Sequence, residues 1–141
     1  MIAVFDTSAI LKLLLDEPGR LDAVTAWSLA DSPVVSRLAY VEAVAGLAAA
    51  RRAGRLGPHS HAEAMDGFER AWSDALVIEL GDELARRAGG LAETYGLTAG
   101  DAVQLATAIE IGSDDTVLVA WDRRLRTAAT AAGLPLFPPE P

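Results

Sequence analysis

Ile2-Ala3-Val4-Phe5-Asp6-Thr7-Ser8-Ala9 runs four apolar residues into a carboxylate and two hydroxyls. The apolar run reads as a buried strand, and Ser8 to Leu15, with Ala9, Ile10, Leu11, Leu13 and Leu14, as a strongly apolar helix. In an open α/β sheet, ligands sit beyond the carboxyl ends of the strands, so Asp6 stands where a site would form. Taken alone it also reads as a helix cap, because a strand-to-helix turn commonly recruits Asp or Ser. Later segments separate the two readings if they bring further acids to the same edge.

Working outward, Pro18-Gly19 interrupts the first helix, and a second runs from about Leu21 to Ala30 with Leu21, Val24, Trp27 and Ala30 at helical spacing. After Asp31-Ser32-Pro33 comes a short strand, Val34-Val35, and Ser36 is placed to cap a long helix that continues through Arg51-Arg52 and carries Glu42 in its second turn. His59 to Trp72 reads as a helix, Ala75 to Leu80 as a third strand, and Asp82 to Tyr95 as a helix closed by Gly96. Thr98-Ala99-Gly100-Asp101 opens another, with Ala102, Leu105, Ala106 and Ile109 on one face and an end near Gly112. Thr116 to Trp121 reads as a fourth strand with Asp122 directly after it, Arg123 to Ala132 as a short helix, and Gly133 to Phe137 as a last short strand. Strands alternating with helices indicate an α/β fold, a parallel sheet flanked by helices on both faces. Residues 1–137 form a single domain on this reading, and 138–141 a frayed proline-rich tail.

The 141 residues suffice for one domain with a real core. Hydrophobic residues make up 51% and charged ones 23%, a globular balance leaning toward a sheet buried on both faces. No apolar run approaches a membrane span and no leader pattern opens the chain, so a soluble, cytoplasmic protein is expected. Without cysteine there are no disulfides, thiolate zinc sites or cysteine nucleophiles, and a metal must be held by oxygen or by the two histidines. A net charge of −8 argues against holding nucleic acid by overall attraction. An acidic enzyme can still act on a phosphodiester when its acids hold a metal and separate arginines meet the backbone, and Lys12 is the only lysine among twelve basic residues.

Right-handed crossovers bring the strand ends out on one edge, where Asp6, Glu42, Asp101 and Asp122 can converge. Two carboxylates about 4 Å apart repel by roughly 4 kcal/mol at an effective dielectric near 20, so such a cluster must protonate or bind a cation. Asp6, Glu42 and Asp101 have no basic neighbour close in sequence, whereas Asp122 is followed by Arg123 and Arg124. An all-oxygen site suits Mg²⁺ or Mn²⁺, and the matching chemistry is in-line attack of an activated water on a phosphodiester. Each acid has a plainer reading. Asp6 and Asp122 are placed as caps, Asp101 follows Thr98 at capping-box spacing, and Glu42 can lie on an exposed helix face.

Phe5-Asp6-Thr7-Ser8-Ala9, Glu42 in the third helix, Gly100-Asp101-Ala102-Val103-Gln104-Leu105-Ala106-Thr107-Ala108, and Trp121-Asp122-Arg123-Arg124-Leu125 followed by Gly133-Leu134 resemble a PIN domain of the VapC toxin type, in order and over almost the whole chain. The resemblance implies the PIN-like three-layer sandwich and a Mg²⁺- or Mn²⁺-dependent endoribonuclease toxin. It implies also an RNA substrate, a homodimer, and neutralisation by a cognate antitoxin. By position, Asp6 and Asp101 match the principal metal ligands, Glu42 the acid that orients a water, and Asp122 the acid completing the ring. Glu42 and Asp122 would reach the metal through water, and Ser8 would support Asp6 by a hydrogen bond. Members often carry Ser or Thr two positions before the last acid; here that residue is Ala120. An antitoxin helix is expected in a hydrophobic groove, with a basic side chain near the acids.

Other readings compete. A degenerate site would leave a protein-binding module, for which Ala120 speaks, and an aspartyl phosphotransferase at Asp6 would want a second acid where this chain has Ser8. Arg123 and Arg124 serve either phosphate or the acidic edge. Arg51, Arg52 and Arg55 read as helix-dipole partners on a wet surface, and His59 and His61, in a Gly-Pro loop, as surface residues.

Overall fold

The computed structural model describes residues 1–140. The elements follow one another as β1 (Ile2–Phe5), α1 (Thr7–Leu14), α2 (Arg20–Leu29), β2 (Ser32–Ser36), α3 (Arg37–Arg52), α4 (Pro58–Asp74), β3 (Leu76–Ile78), α5 (Asp82–Tyr95), α6 (Ala99–Ile111), β4 (Thr116–Val119), α7 (Arg123–Ala131) and β5 (Leu136–Phe137). The strands form one parallel sheet in the order β3-β2-β1-β4-β5. Among the described residues no helix is long and apolar enough to cross a membrane.

Side chains of a strand alternate between faces, and that alternation divides the core in two. Ala3 and Phe5 of β1 join Val35, Val119, Ile10, Leu47 and Phe68 on the face covered by α1 to α4. Val4 joins Val34, Leu118, Leu105 and Leu125 on the face covered by α5 to α7. The central strand is thus apolar at every position because both faces are dry, which is why it reads as a continuous run rather than an alternating one. Tyr40, Phe68 and Trp72 stack where α3 meets α4, with ring centroids 5.2 to 5.7 Å apart.

Several expectations shift at element ends. β2 starts at Ser32 and takes in Pro33, which sits opposite Ala3 in the register. β3 is only Leu76–Ile78 and pairs with β2 alone. β4 ends at Val119, because the chain turns there into α7; Asp122 is therefore the cap of α7 and does not directly follow the strand. His59 and His61 lie in the first turn of α4 and not in a loop, since Pro58 fits the first helical position. The apolar spacing of α2 does not mark a single inner face. Trp27 packs edge-on against Phe5 at 4.9 Å, but Leu21 and Val24 are 79% and 41% exposed. The buried residues are Ala23 and Ala26, whose small side chains let the helix approach closely. The tail is held rather than frayed at its start, because Pro138 is buried and Arg126 Nη2 donates to the Pro139 carbonyl at 2.9 Å. Pro141 lies outside the described residues.

One clamp joins the first helix pair to the loop after β4. Lys12 Nζ donates to the Pro18 carbonyl at 2.9 Å and lies 5.2 Å from the centre of the Trp121 ring. Gly19, with φ +92°, passes so close that a Cβ there would stand 3.0 Å from two atoms of that ring. An L side chain in this conformation costs about 1–2 kcal/mol before any steric contact. Gly19→Ala is expected to lower stability by at least about 1 kcal/mol, read in urea unfolding as an earlier midpoint with an unchanged slope.

Candidate active site

From β1 the chain adds β2 and β3 on one side and later β4 and β5 on the other, so the topological switch lies between β1 and β4. Such a switch opens a crevice beyond the carboxyl ends of the two strands. Phe5 pairs with Val119, and the Asp6 N–H donates to the Val119 carbonyl at 3.2 Å, so the exits of β1 and β4 lie side by side. Asp6 caps α1 and Asp122 caps α7 at this crevice, while α3 brings Glu42 and the first turn of α6 brings Asp101. All four acids, with Ser8, Thr7 and Gln104, line one cavity of about 330 Å³.

Asp6 is 4% exposed, although it is a carboxylate. Its Oδ1 accepts from the Ala9 N–H at 2.7 Å, and Ser8 Oγ donates to Oδ1 and Oδ2 at 2.9 and 3.0 Å. Those bonds favour the charged form, but burial outweighs them and, with Asp101 and Asp122 adding repulsion, pushes the carboxyl up to about 7. Asp101 is half-buried and is also raised, by loss of solvent first, then by Asp122 and Glu42; Thr98 and Arg124 act in the opposite direction. Glu42 is fixed from a distance: Thr7 Oγ1 donates to its Oε1 at 2.9 Å, and Gln104 Nε2 donates to Thr7 Oγ1 at 3.3 Å and lies 3.5 Å from Glu42 Oε1. A Cβ on Gly100 would stand 2.5 Å from Glu42 Oε2, so the absent side chain is what gives Glu42 its place. Asp122 is exposed, and its Oδ1 accepts from the Leu125 N–H at 2.9 Å.

Asp6, Ser8, Glu42, Asp101 and Asp122 therefore meet, and Asp6 and Asp122 are caps as well. The two roles coexist because each cap needs one acceptor and a carboxylate has two oxygens. Thr98 likewise caps α6, its Oγ1 accepting from the Asp101 N–H at 3.3 Å. Sequence reasoning gave no role to Thr7, Gln104 or Gly100. Gln104 follows Asp101 by one helical turn, a spacing that puts both on one face and could have marked it. No comparable signal attaches to Gly100, whose contact with Glu42 exists only in the folded chain. Arg124 is a spatial neighbour of Asp101 that local sequence did not show. Lys12 is engaged with Glu17, Pro18 and Trp121. His59 is exposed and pairs with Glu63. Ala120 is fully buried in the apolar core.

The donor set at the cavity is oxygen only, as hard divalent cations prefer. Among the described residues no three acids or histidines are grouped tightly enough to chelate one ion. The described residues therefore form no all-protein cage of three such ligands at this cavity. Gln104 Oε1, on the cavity wall, is buried without a partner, an acceptor that a water bound beside an ion would satisfy.

Comparison with known proteins gives concordant results. The PIN domain family profile matches residues 3–131. Ribonuclease VapC49 of Mycobacterium tuberculosis is 40% identical over 137 residues, covering 97% of this chain and 95% of that protein. Among solved structures, Mycobacterium tuberculosis VapC20, described as a sarcin-ricin loop cleaving toxin, superposes with a TM-score of 0.68 at 18% identity, over 94% of this chain and 95% of that one. A toxin-antitoxin complex from Klebsiella pneumoniae gives 0.62 at 24% identity, over 85% and 86%.

The raised Asp6 carboxyl fixes the sign of a pH effect. Below about pH 4 the group is protonated in both folded and unfolded chains. Between the ordinary value of 3.8 and about 7 the unfolded chain ionises while the folded one keeps its proton, so stability falls as pH rises. In urea unfolding with chelator present, the midpoint is expected to drop from pH 5 to pH 8. Asp6→Asn should flatten that drop, and Mn²⁺ should restore the midpoint of the parent at pH 8.

Proposed function

The chain belongs to the PIN-domain family, and from that premise we propose that it is a divalent-metal-dependent endoribonuclease, a toxin held in check by a cognate antitoxin protein. The observation that carries the reading is the meeting of four carboxylates in the crevice at the sheet's switch point, with Asp6 buried and no lysine or histidine lining the cavity. A 40% identical relative named a ribonuclease supports the substrate class. The complete acid set favours an enzyme over a degenerate binding module.

Asp6 and Asp101 would hold the cation, Mg²⁺ with Mn²⁺ able to replace it, and Glu42 and Asp122 would take part through water. A bound ion supplies acidification of a water and neutralises charge that grows on the phosphate. The protein's part is positioning. Ser8 and the Ala9 N–H fix the Asp6 carboxylate so that it does not swing toward solvent. Thr7 and Gln104 bind Oε1 of Glu42, which leaves Oε2 above Gly100 as the acceptor that orients the attacking water. Asp122 closes the rim.

The partner is an antitoxin whose helix lies on this chain and brings a basic side chain to the acids. Supporting this are the neighbour described as a toxin-antitoxin complex and an apolar cleft of about 230 Å³ between α5 and α6, floored by Ala88, Ala92 and Val103. The protein acts as a cytoplasmic homodimer, and the exposed Leu21, Val24 and Leu29 of α2 are apolar surface of the kind a subunit contact covers.

Purified protein freed of antitoxin should cut RNA in Mg²⁺ or Mn²⁺, with cutting abolished by chelator and by Asp101→Asn; a total-RNA pool left intact under both metals would overturn the reading. Gly100→Ala tests the seat of Glu42. Alanine is favoured in a helix by up to about 1 kcal/mol, so the melting temperature should hold or rise, while the displaced Glu42 should cut kcat by about ten-fold or more.

A further inference from the structure

Beside the acidic cavity lies a second and larger one of about 550 Å³, and the two share Asp101 and Asp122 on their walls. Its other walls include Tyr95 at the end of α5 and Arg123, Arg124 and Thr127 on the first turns of α7. Resting on the nuclease reading, we propose that this cleft seats the nucleotide next to the scissile phosphate of a single-stranded RNA.

Three observations carry it. A chain of charge −8 repels RNA as a whole, so attraction must be local, and these two arginines line the cavity that adjoins the acids. Both are exposed and neither forms an ion pair among the described residues; Arg124 makes only a long bond, 3.4 Å, to the Gly96 carbonyl. A guanidinium in that state has N–H groups free to grip a phosphate bidentately. Tyr95, half-buried and packed against the core, is the aromatic residue of this wall, and every nucleobase offers a face to stack on an aromatic ring. The volume falls within the range of small-ligand sites, about 300–1,000 Å³. The arginines enter the wall from the first turn of the helix that Asp122 caps, so a phosphate held by them lies beside the acids rather than among them. Arg124 thereby acts on binding, not on the reacting atoms.

The test measures binding and cleavage separately. Fluorescence anisotropy with a labelled, cleavage-resistant phosphorothioate oligoribonucleotide in Mg²⁺ should show Arg124→Ala weakening affinity about ten-fold, with Arg124→Lys recovering part of it. Tyr95→Ala should weaken it by a similar factor, whereas Tyr95→Phe, which keeps the ring, should bind as the parent does. Arg86→Ala is the charge-matched control, since Arg86 pairs with Asp82 on exposed surface and does not line the cleft. The proposal is overturned if the parent does not bind, if Arg124→Ala and Tyr95→Ala stay within about two-fold of it, or if Arg86→Ala loses as much. Cleavage of unmodified RNA reads the enzyme itself. A parent that binds through these residues but never cuts upholds the subsite and sinks the nuclease; one that cuts, with affinity unmoved by the variants, sinks only the subsite.

Discussion

A carboxylate withdrawn from water at the end of the central strand is the constraint on which the rest of the site depends. Asp6 is held by a backbone N–H and a hydroxyl, both of which stabilise its charge, yet burial still keeps it half-protonated near neutral pH. An apolar fold could have avoided this cost by placing any other cap at the start of α1. Instead two more carboxylates stand near enough to raise it further. Like charges gathered in a poorly solvated crevice are stable only when protonated or when a cation joins them. The raised Asp6 carboxyl is the record of that unrelieved repulsion and lost solvent.

Glu42 shows a different device. Its position is set by contacts from two elements far apart in the chain: a hydroxyl just after β1, and an amide and a glycine on α6. The glycine has ordinary helical backbone, so it is required for space and not for conformation. Such a position sacrifices a little helix propensity so that a carboxylate can lie against the backbone. The result is a side chain with one oxygen tied and the other free, held without any cation.

The scaffold that makes this possible is simple. A strand dry on both faces places α1 to α4 on one side and α5 to α7 on the other, and the reversal of strand order between β1 and β4 opens the crevice. The Lys12 and Trp121 clamp over the Pro18-Gly19 turn then fixes the residue next to Asp122. Function sits on helix starts and strand ends that are themselves well anchored, which is how a small domain keeps an acidic cluster in register.

The alternation of strands and helices and the helix caps were legible in the sequence, because hydrophobic period and cap chemistry are local properties; the grouping of Asp6, Ser8, Glu42, Asp101 and Asp122 was an expectation from strand topology and family resemblance, and the folded chain brings them to one cavity. Local reasoning also found both faces of the cap question, since Asp6 and Asp122 do cap helices. What it missed shares one cause. The outward turn of Leu21 and Val24, the seat of Glu42 over Gly100, the engagement of Lys12 and the approach of Arg124 to Asp101 depend on which surfaces meet across the sheet, and spacing along the chain carries no record of that. Sequence named the acids; only tertiary structure decided that Asp6 is buried, that Glu42 is held by Thr7 and Gln104, and that arginines border the crevice, because burial and distance exist only once the helices have packed.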